Sequence, residues 1–173
     1  IMEDKVGLKK NSLFSDQKNV RQDSIRSFCK KIIKAKNSTL SEDFFVISRI
    51  ESLILGKSVN DALKRAIAYS KAGTDCIMIH SKEKNPKQIF EFSKKFLKTK
   101  FAKPLVAVPS TYSKTYEREL IKNGFNIVIY ANHLLRSSYF SMVNTAKQIL
   151  KNKRSFETEK SISPLNEILE LIK

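Results

Sequence analysis

The chain contains five short runs in which almost every residue is apolar, and each run has the length of a β-strand. Their sequences include Phe-Phe-Val-Ile, Cys-Ile-Met-Ile, Leu-Val-Ala-Val and Ile-Val-Ile-Tyr. Strands that are buried on both faces have this continuous apolar pattern, whereas half-exposed strands alternate between apolar and polar residues. The pattern therefore predicts five buried strands, at residues 1–2, 44–50, 76–80, 105–109 and 127–131.

Helical patterns lie between these runs and have recognisable start and stop signals. Ser58 precedes one pattern, the acidic residue Asp61 follows three positions later, and Gly73 comes after its end. A serine at this position caps the first N–H groups of a helix, and glycine adopts the left-handed conformation that ends one. The same reasoning predicts helices that begin near Asn85-Pro86, at 114–123 after Ser113, at 134–150, and after Ser163-Pro164.

Strands that alternate with helices at a spacing of about 30 residues predict repeated βα units and a parallel sheet. The fold class is therefore α/β. We expect residues 1–153 to form the C-terminal portion, about strands 4–8, of a (β/α)₈ TIM-type barrel, and residues 154–173 to add a C-terminal helix. A complete barrel usually needs about 250 residues, so we expect further strands to precede Ile1.

Basic residues outnumber acidic ones by 33 to 17, which gives a formal net charge of +16. Such a charge favours an anionic partner. However, 26 of the basic residues are lysines spread along the whole chain, and aromatic rings are not interleaved with them. A stacking surface for single-stranded nucleic acid needs such rings, so we interpret the lysines as solvated helix faces. We expect neither a nucleic-acid nor a membrane partner.

Composition predicts the cellular compartment and excludes several classes of protein. No apolar run approaches the ~18 residues that a membrane span needs. The two cysteines, Cys29 and Cys76, are too few for a disulfide framework and do not form a CxxC motif. Free thiols are typical of a reducing compartment, so we expect a cytoplasmic protein. With 41% apolar and 29% charged residues, the chain is neither collagen-like nor globally disordered.

Polar side chains follow four of the predicted strands at the point where each strand ends. In a parallel barrel, these ends meet at the face that carries function. Arginine binds carboxylate or phosphate through its planar fork, and a carboxylate suits a hard cation such as Mg²⁺. The pattern predicts a site for an anionic substrate, although each residue alone could serve structure only. The residues concerned are Glu3, Asp4, Lys5, Arg49, Glu51, His80, Ser81, Lys82, Ser110, Thr111 and Tyr112.

Several segments also carry a family resemblance. The segment Glu-Asp-Lys-Val-Gly-Leu-Lys-Lys-Asn-Ser-Leu-Phe at residues 3–14 closely resembles a strand end and loop of the phosphoenolpyruvate mutase family, within the isocitrate lyase superfamily. The arginine segment at 48–54 and the histidine segment at 77–82 are also similar to that family. So are residues 104–112 and 129–136. The resemblance covers essentially the whole chain, in order.

This resemblance implies an isomerase that interconverts phosphoenolpyruvate and phosphonopyruvate with Mg²⁺, the first step of phosphonate biosynthesis. It implies that Glu3 contacts the metal through water. It also implies that Arg49 and His80 hold the anionic groups of the substrate, and that Asn11 binds the phosphoryl group in transfer. Lys9 is implied to lie on the loop that closes over the site. Ser12 lies on the same loop and is implied to help bind the substrate.

The loop sequence also separates this chain from other members of the superfamily. Lyases of the superfamily have a catalytic cysteine where this chain reads Lys9-Lys10-Asn11-Ser12, so lyase activity is disfavoured. Phosphonopyruvate hydrolases tend to have threonine where Asn11 stands. Asn11 favours the mutase and leaves the hydrolase as the alternative.

Two interpretations of another class stay open: an inactive barrel remnant, and a basic interaction domain. The family carries its metal-binding aspartates on its first three strands, so we expect these 173 residues alone not to turn over substrate. The resemblance also implies a homodimer or tetramer in which the C-terminal helix is exchanged between subunits. That helix carries an apolar stripe of Leu165, Ile168, Leu169 and Ile172.

Overall fold

The computed structural model describes residues 1–7, 11–12, 20–41 and 43–172. They form two compact units, Ile1–Tyr130 and Ala131–Lys173. The strands of the first unit are β1 (Met2–Glu3), β2 (Lys5–Val6), β3 (Arg21–Gln22), β4 (Ile47–Ile50), β5 (Cys76–Ile79), β6 (Leu105–Ala107) and β7 (Phe125–Val128). Its helices are α1 (Ile25–Asn37), α2 (Val59–Lys71), α3 (Lys87–Phe96) and α4 (Glu117–Lys122).

The main sheet has five strands in the order β1-β4-β5-β6-β7, and every neighbouring pair is parallel. The spatial order follows the chain order, as in the wall of a barrel, whereas a doubly wound sheet reverses direction at a switch point. Along the chain, a helix lies between each strand of this main sheet and the next one. The α/β fold with a parallel sheet is therefore confirmed. A separate two-stranded antiparallel ribbon joins β2 and β3.

Strands β5 and β6 are buried on both faces, as their continuous apolar pattern predicts. The prediction of a buried strand was wrong for β7, where Asn126 and Ile127 are exposed. On one face, Ile77 and Ile79 of β5 belong to the main core with side chains of the surrounding helices. On the other face, Cys76 and Met78 form a smaller cluster with Val106. Because successive side chains of a strand point to opposite faces, only a run without polar interruptions fills both clusters.

Local signals set most helix ends. The Ser58 hydroxyl accepts a hydrogen bond from the N–H of Asp61, and Gly73 ends α2 with a φ of +100°. Helix α3 begins at Lys87, one residue later than Pro86, and the Asn85 side chain accepts a hydrogen bond from the Lys87 N–H. These side-chain bonds satisfy N–H groups that have no partner within the helix.

Several predicted boundaries were wrong, including the end of β6, which is Ala107 and not residue 109. Helix α4 begins at Glu117 and not at residue 114, because the Tyr116 N–H donates to the Glu119 carboxylate and so caps the helix there. Strand β4 begins at Ile47 and not at residue 44. Phe44 and Phe45 are 61% and 62% exposed. The last predicted strand, at 127–131, is shifted to Phe125–Val128 by its register with β6.

Helix α1 was not predicted. Ser24 caps its start by accepting from the Ser27 N–H. Phe28 and Ile32 bury its apolar side, and Phe28 packs against Tyr69 with their ring centroids 4.7 Å apart. Its interior is rich in lysine, so the periodic pattern of apolar residues is weak in the sequence.

The second unit consists of α5 (His133–Asn152), a 3₁₀ turn (Phe156–Thr158) and α6 (Leu165–Glu170). Neither of its α-helices contains a buried residue. The boundary between units falls after Tyr130, and the domain boundary that we expect after residue 153 stays a prediction. Among the described residues, no helix has both the length and the apolar character needed to cross a lipid bilayer.

Candidate active site

The carboxyl ends of β1, β4 and β5 bring the predicted polar residues together. Glu3 is the register partner of Arg49 across β1 and β4, and Arg49 is the partner of Met78 in β5. His80 follows β5 directly. Parallel strands end at the same edge of their sheet, which explains how residues far apart in the chain become neighbours.

Glu51 lies at the centre of this cluster. Its carboxylate accepts from Arg49 Nε at 2.6 Å and from the Ser12 hydroxyl at 2.6 Å, and it pairs with Lys5 Nζ at 3.2 Å. Its side chain is fully buried. Arg49, the Ser12 hydroxyl and Lys5 lower the pKa of Glu51 against the opposing effect of burial. The carboxylate is therefore ionised at neutral pH.

The Ser12 hydroxyl joins the loop to this cluster. It donates to Glu51 and accepts from Arg49 Nη2 at 2.7 Å and from Lys5 Nζ at 3.0 Å. A hydroxyl has one donor and two acceptor positions, so Ser12 uses its full capacity here. This brings the backbone of the neighbouring residue Asn11, whose side chain is exposed, to the same edge.

Arg49 is the group of the cluster that an anion can reach. Its side chain is 22% exposed, whereas that of Lys5 is 1% exposed. Its Nη1 lies 3.5 Å from the Glu3 carboxylate. Arginine carries five N–H donors. Donors therefore remain for a ligand besides those that hydrogen-bond to Glu51 and Ser12. Fixed donors of this kind suit the oxygens of a carboxylate or phosphoryl group.

His80 is buried and neutral. It is 4% exposed, and its pKa is lowered from 6.5 to about 4. Burial is the main cause, followed by the positive charge of Arg49, with a smaller contribution from Lys5, while Glu51 acts in the opposite direction. Its Nδ1 atom has no hydrogen-bond partner among the described residues. A neutral imidazole with one unsatisfied nitrogen can bind a ligand without adding charge.

A second polar cluster is centred on Asp4 and adjoins the first. Asp4 is fully buried and accepts from Tyr69 at 2.8 Å, from Gln22 at 2.9 Å and from Arg65 Nη1 at 3.3 Å. Burial raises the pKa of Asp4, although all of these bonds oppose the shift. Asp4 also accepts from the backbone N–H of Glu51 at 2.9 Å. The two clusters are therefore joined through one peptide group.

The remaining predicted residues fall into three groups. Lys9 lies outside the described residues. Lys82 is exposed, beside a cleft of about 530 Å³ that does not include Arg49 or His80. Ser81 and Thr111 hold loops together, since Thr111 donates to the Ser81 carbonyl at 2.8 Å and Ser81 donates to Gln88 at 3.0 Å. Tyr112 is buried in the main core, and Ser110 is half-buried.

Sequence reasoning missed the central place of Glu51 and the whole cluster around Asp4. Glu51 was predicted only as one of the polar residues that follow the strands. A signal was present for Asp4, because the adjacent acids Glu3 and Asp4 must point to opposite sides of an extended chain. Nothing in the pattern connected Asp4 with Arg65, which lies on α2.

The residues of the site offer few ligands for a metal ion. Within the described part of the chain, no three His, Cys, Asp or Glu side chains are placed to hold one. Glu3 is 19% exposed in its side chain and pairs with Lys5 Nζ at 3.4 Å. A hard cation needs about six oxygen ligands. These residues can therefore supply one carboxylate to a metal site but do not build the site by themselves.

Comparison with known proteins places the chain in a family. The family model described as phosphoenolpyruvate phosphomutase matches residues 1–150. The chain belongs to this family. It is 35% identical to the phosphoenolpyruvate phosphomutase of Tetrahymena pyriformis over 170 residues, which are 98% of this chain and 55% of that protein. The chain thus spans about half the length of the curated family members that it matches.

Solved structures agree with this assignment. The phosphoenolpyruvate phosphomutase structure from Streptomyces platensis subsp. rosaceus superimposes with a TM-score of 0.90 at 37% identity, covering 98% of this chain and 57% of that one. A phosphonopyruvate hydrolase in complex with oxalate and Mg²⁺ superimposes with a TM-score of 0.85 at 32% identity, covering 98% and 56%. The family includes phosphomutases, and the hydrolase shares its fold with this chain.

Proposed function

We propose that this protein is a phosphoenolpyruvate mutase, an isomerase that interconverts phosphoenolpyruvate and phosphonopyruvate. The observation that carries the proposal is the Arg49 guanidinium. It is held by the buried Glu51 carboxylate and presents its remaining donors at the open edge beside neutral His80. Family membership supports the same reaction.

The proposed reaction moves a phosphoryl group within one molecule. The bond from the enol oxygen to phosphorus breaks, a bond from the methylene carbon to phosphorus forms, and the enol oxygen becomes a ketone. No atom or proton is gained or lost. Phosphoryl transfer needs positioning and charge stabilisation more than covalent help. Arg49 and His80 are proposed to hold the anionic oxygens for this purpose.

Three loop residues also have proposed roles, which family membership supports. Asn11 is proposed to hydrogen-bond the phosphoryl group during transfer. Ser12 accepts a hydrogen bond from Arg49. It is proposed to orient the anionic group that Arg49 binds. Lys9 is proposed to add positive charge from the loop. Exclusion of water by the loop would keep the phosphoryl group from hydrolysis.

The charge of the cluster supports a divalent metal. Lys5 and Arg49 are balanced by Glu3 and Glu51 in one set of ion pairs, and His80 is neutral. A substrate with two or more negative charges needs further positive charge. We propose Mg²⁺, with Glu3 contributing through water. When bound, the metal would neutralise carboxylate and enolate oxygens.

Metal binding can be tested without activity. Mn²⁺ titrations followed by electron paramagnetic resonance should give at least tenfold weaker binding for Glu3→Gln than for the unchanged protein. Glu91→Gln, on the exposed Lys95–Glu91 pair, serves as the control and should not change the affinity. Equal affinity of the Glu3 variant would remove Glu3 from the metal site.

The reaction itself is tested by ³¹P NMR. The longest natural chain that contains these residues is given phosphonopyruvate and Mg²⁺. Conversion of the phosphonate resonance to that of phosphoenolpyruvate supports the mutase. An unchanged spectrum from a folded, Mn²⁺-binding protein would contradict it and favour a non-catalytic remnant or a basic interaction domain.

Phosphonopyruvate hydrolase is the second candidate, because a hydrolase structure superimposes almost as well as the mutase structure. Free phosphate from the outset, without phosphoenolpyruvate, would favour it. Asn11 is proposed to decide between the two outcomes. Asn11→Thr should raise the share of phosphonopyruvate that ends as free phosphate at least tenfold, and an unchanged product ratio would remove Asn11 from this role.

The assembly and compartment are further proposals. We propose a homodimer or tetramer in which residues 154–173 are exchanged between subunits. The support is that α6 exposes its apolar residues Leu165, Ile168 and Leu169. We also propose a cytoplasmic protein, since Cys29 and Cys76 are free thiols. Light scattering on the purified protein tests the assembly, and a monomer at micromolar concentration would contradict it.

A further inference from the structure

The Glu51 carboxylate contacts three residues of the candidate site, yet a ligand cannot reach it. Its side chain is fully buried, whereas that of Arg49 is 22% exposed. The carboxylate joins one residue from β4, one from β2 and one from the loop, namely Arg49, Lys5 and Ser12. It therefore acts on a ligand only through these neighbours.

The contact with Arg49 fixes the direction of the guanidinium. Glu51 Oε1 takes the Nε–H, and the Ser12 hydroxyl takes one Nη2 proton. These two bonds lie on one edge of a planar group, so the other edge must face away from Glu51. Because Ser12 donates to the other carboxylate oxygen, Oε2, the loop and the arginine are held by the same group.

The backbone of Glu51 is itself held in place by Asp4. Its backbone N–H donates to Asp4 Oδ1 at 2.9 Å. Asp4 is in turn bound by Tyr69 and Arg65 of α2. Helix α2, which packs against β4 and β5, thus helps to fix the position of the Glu51 backbone through Asp4.

We propose that Glu51 is a positioning residue for the reaction: it orients the Arg49 guanidinium towards the substrate and ties the loop residue Ser12 to the same carboxylate. The kinetic part of this inference rests on the proposed mutase function. The structural part concerns only Arg49, Ser12 and Glu51 and is tested without substrate.

The structural test uses NMR of the arginine side chains. The Arg49 Nε–H signal is assigned by its disappearance in Arg49→Lys. In the unchanged protein, it should be shifted downfield and exchange with water at least tenfold more slowly than the Nε–H of exposed Arg118. In Glu51→Gln, it should move upfield and exchange at least tenfold faster, because a charge-assisted bond becomes a neutral one.

Asp75→Asn is the matched control. Asp75 is also a strand-edge carboxylate that binds a lysine, Lys36, at 2.9 Å, and a backbone N–H, that of Val46, at 2.8 Å. It precedes β5, at the opposite end of the strands from the site. Its variant should leave the Arg49 signal unchanged.

Kinetics provide the second readout. For Glu51→Gln, we expect kcat for phosphonopyruvate to fall by about 10- to 100-fold, with a KM within about threefold of the unchanged value, because Arg49 keeps its charge while losing its orientation. Asp75→Asn should keep both constants. A change in KM alone would contradict a positioning role.

The outcomes separate the two proposals. If the longest natural chain that contains these residues shows no mutase activity, the proposed function fails, while the Arg49 signal still tests the contact between Arg49 and Glu51. An unprotected Arg49 Nε–H in the unchanged protein would overturn the inference even if Glu51→Gln does not fold. Equal effects of Glu51→Gln and Asp75→Asn on the signal would do the same.

Discussion

Two clusters in the first unit contain the same chemical groups and differ in their access to solvent. Arg65 with Asp4 and the Tyr69 hydroxyl forms one, and Arg49 with Glu51 and the Ser12 hydroxyl forms the other. In the first, the arginine side chain is 7% exposed and the carboxylate 0%. In the second, the carboxylate is equally buried but the arginine is 22% exposed.

The difference shows which arginine serves structure and which can serve a ligand. Arg65 directs Nε to Asp61 and Nη1 to Tyr69, Asp4 and the carbonyl of Asp23. These partners all belong to the chain and join α2 to the start of the sheet. Arg49 keeps donors at an open edge beside a histidine with an unsatisfied nitrogen. Similar composition therefore supports opposite roles, and burial decides between them.

The largest expected effect comes from breaking the enclosed cluster. Arg65→Met leaves Asp4 buried without its cation, and removing one partner of a buried pair costs about 3–5 kcal/mol. Urea denaturation should show this fall in the free energy of unfolding. Lys95→Met breaks the exposed Lys95–Glu91 pair and should change stability by about 0.5 kcal/mol or less. Equal effects would show that burial does not separate the two kinds of pair.

The open cluster should respond more in activity than in stability. Arg49→Lys keeps the charge that faces Glu51 and loses the planar fork. We expect kcat/KM for phosphonopyruvate to fall about 10²- to 10³-fold, as when one fixed donor to a developing charge is removed. The free energy of unfolding should change by about 1 kcal/mol or less. A variant that is unstable but active per folded molecule would contradict this assignment.

His80 should make the protein less stable in acid. Its pKa is lowered from 6.5 to about 4 in the folded protein, so between these values the unfolded chain binds the extra proton. Stability is therefore lost as pH falls through this window, by up to about 3 kcal/mol. Urea denaturation at pH 7 and pH 4 should show this loss in the unchanged protein and a smaller one in His80→Asn. Identical pH dependence would contradict a buried, neutral His80.

The smallest effects are expected from removing the hydroxyl of Tyr69 or that of Ser12. One hydroxyl belongs to each cluster, so the two variants can be compared directly. Tyr69→Phe removes one bond to Asp4 and should lower the free energy of unfolding by about 1.5 kcal/mol, with kcat/KM unchanged. Ser12→Ala should lower kcat/KM by about tenfold and stability by about 1 kcal/mol. Urea denaturation and ³¹P kinetics on both variants check the pair. A kinetic effect from Tyr69→Phe as large as that from Ser12→Ala would weaken the separation of the clusters.

Where the decisive forces were local, the sequence predicted the fold well. Strand β5 is visible as an uninterrupted apolar run because both its faces are buried. Helix α2 is visible because Ser58 and Gly73 act within a few residues of its ends. The strand-end positions of Arg49 and His80 followed from the same periodicity, since the ends of parallel strands share one edge.

Other boundaries depended on contacts that no local pattern shows. Helix α1 is stabilised by Phe28 and Ile32 packing into the core, in a segment otherwise rich in lysine. Helix α4 starts where the Glu119 side chain reaches the Tyr116 N–H, three residues beyond the serine that the sequence favoured. In both cases, packing or a single side-chain bond outweighed the propensity of the segment.

The sequence alone determined which residue types stand at the strand ends, and hence predicted a site for an anionic substrate. Only the tertiary structure decided how they act together. Glu51 meets Ser12 across 39 positions and Asp4 across 47, and Arg65 meets Asp4 across 61. Such contacts depend on the packing of α2 and the loop against the sheet. For this reason, Glu3 lies at the edge of the site and its neighbour Asp4 lies in the core.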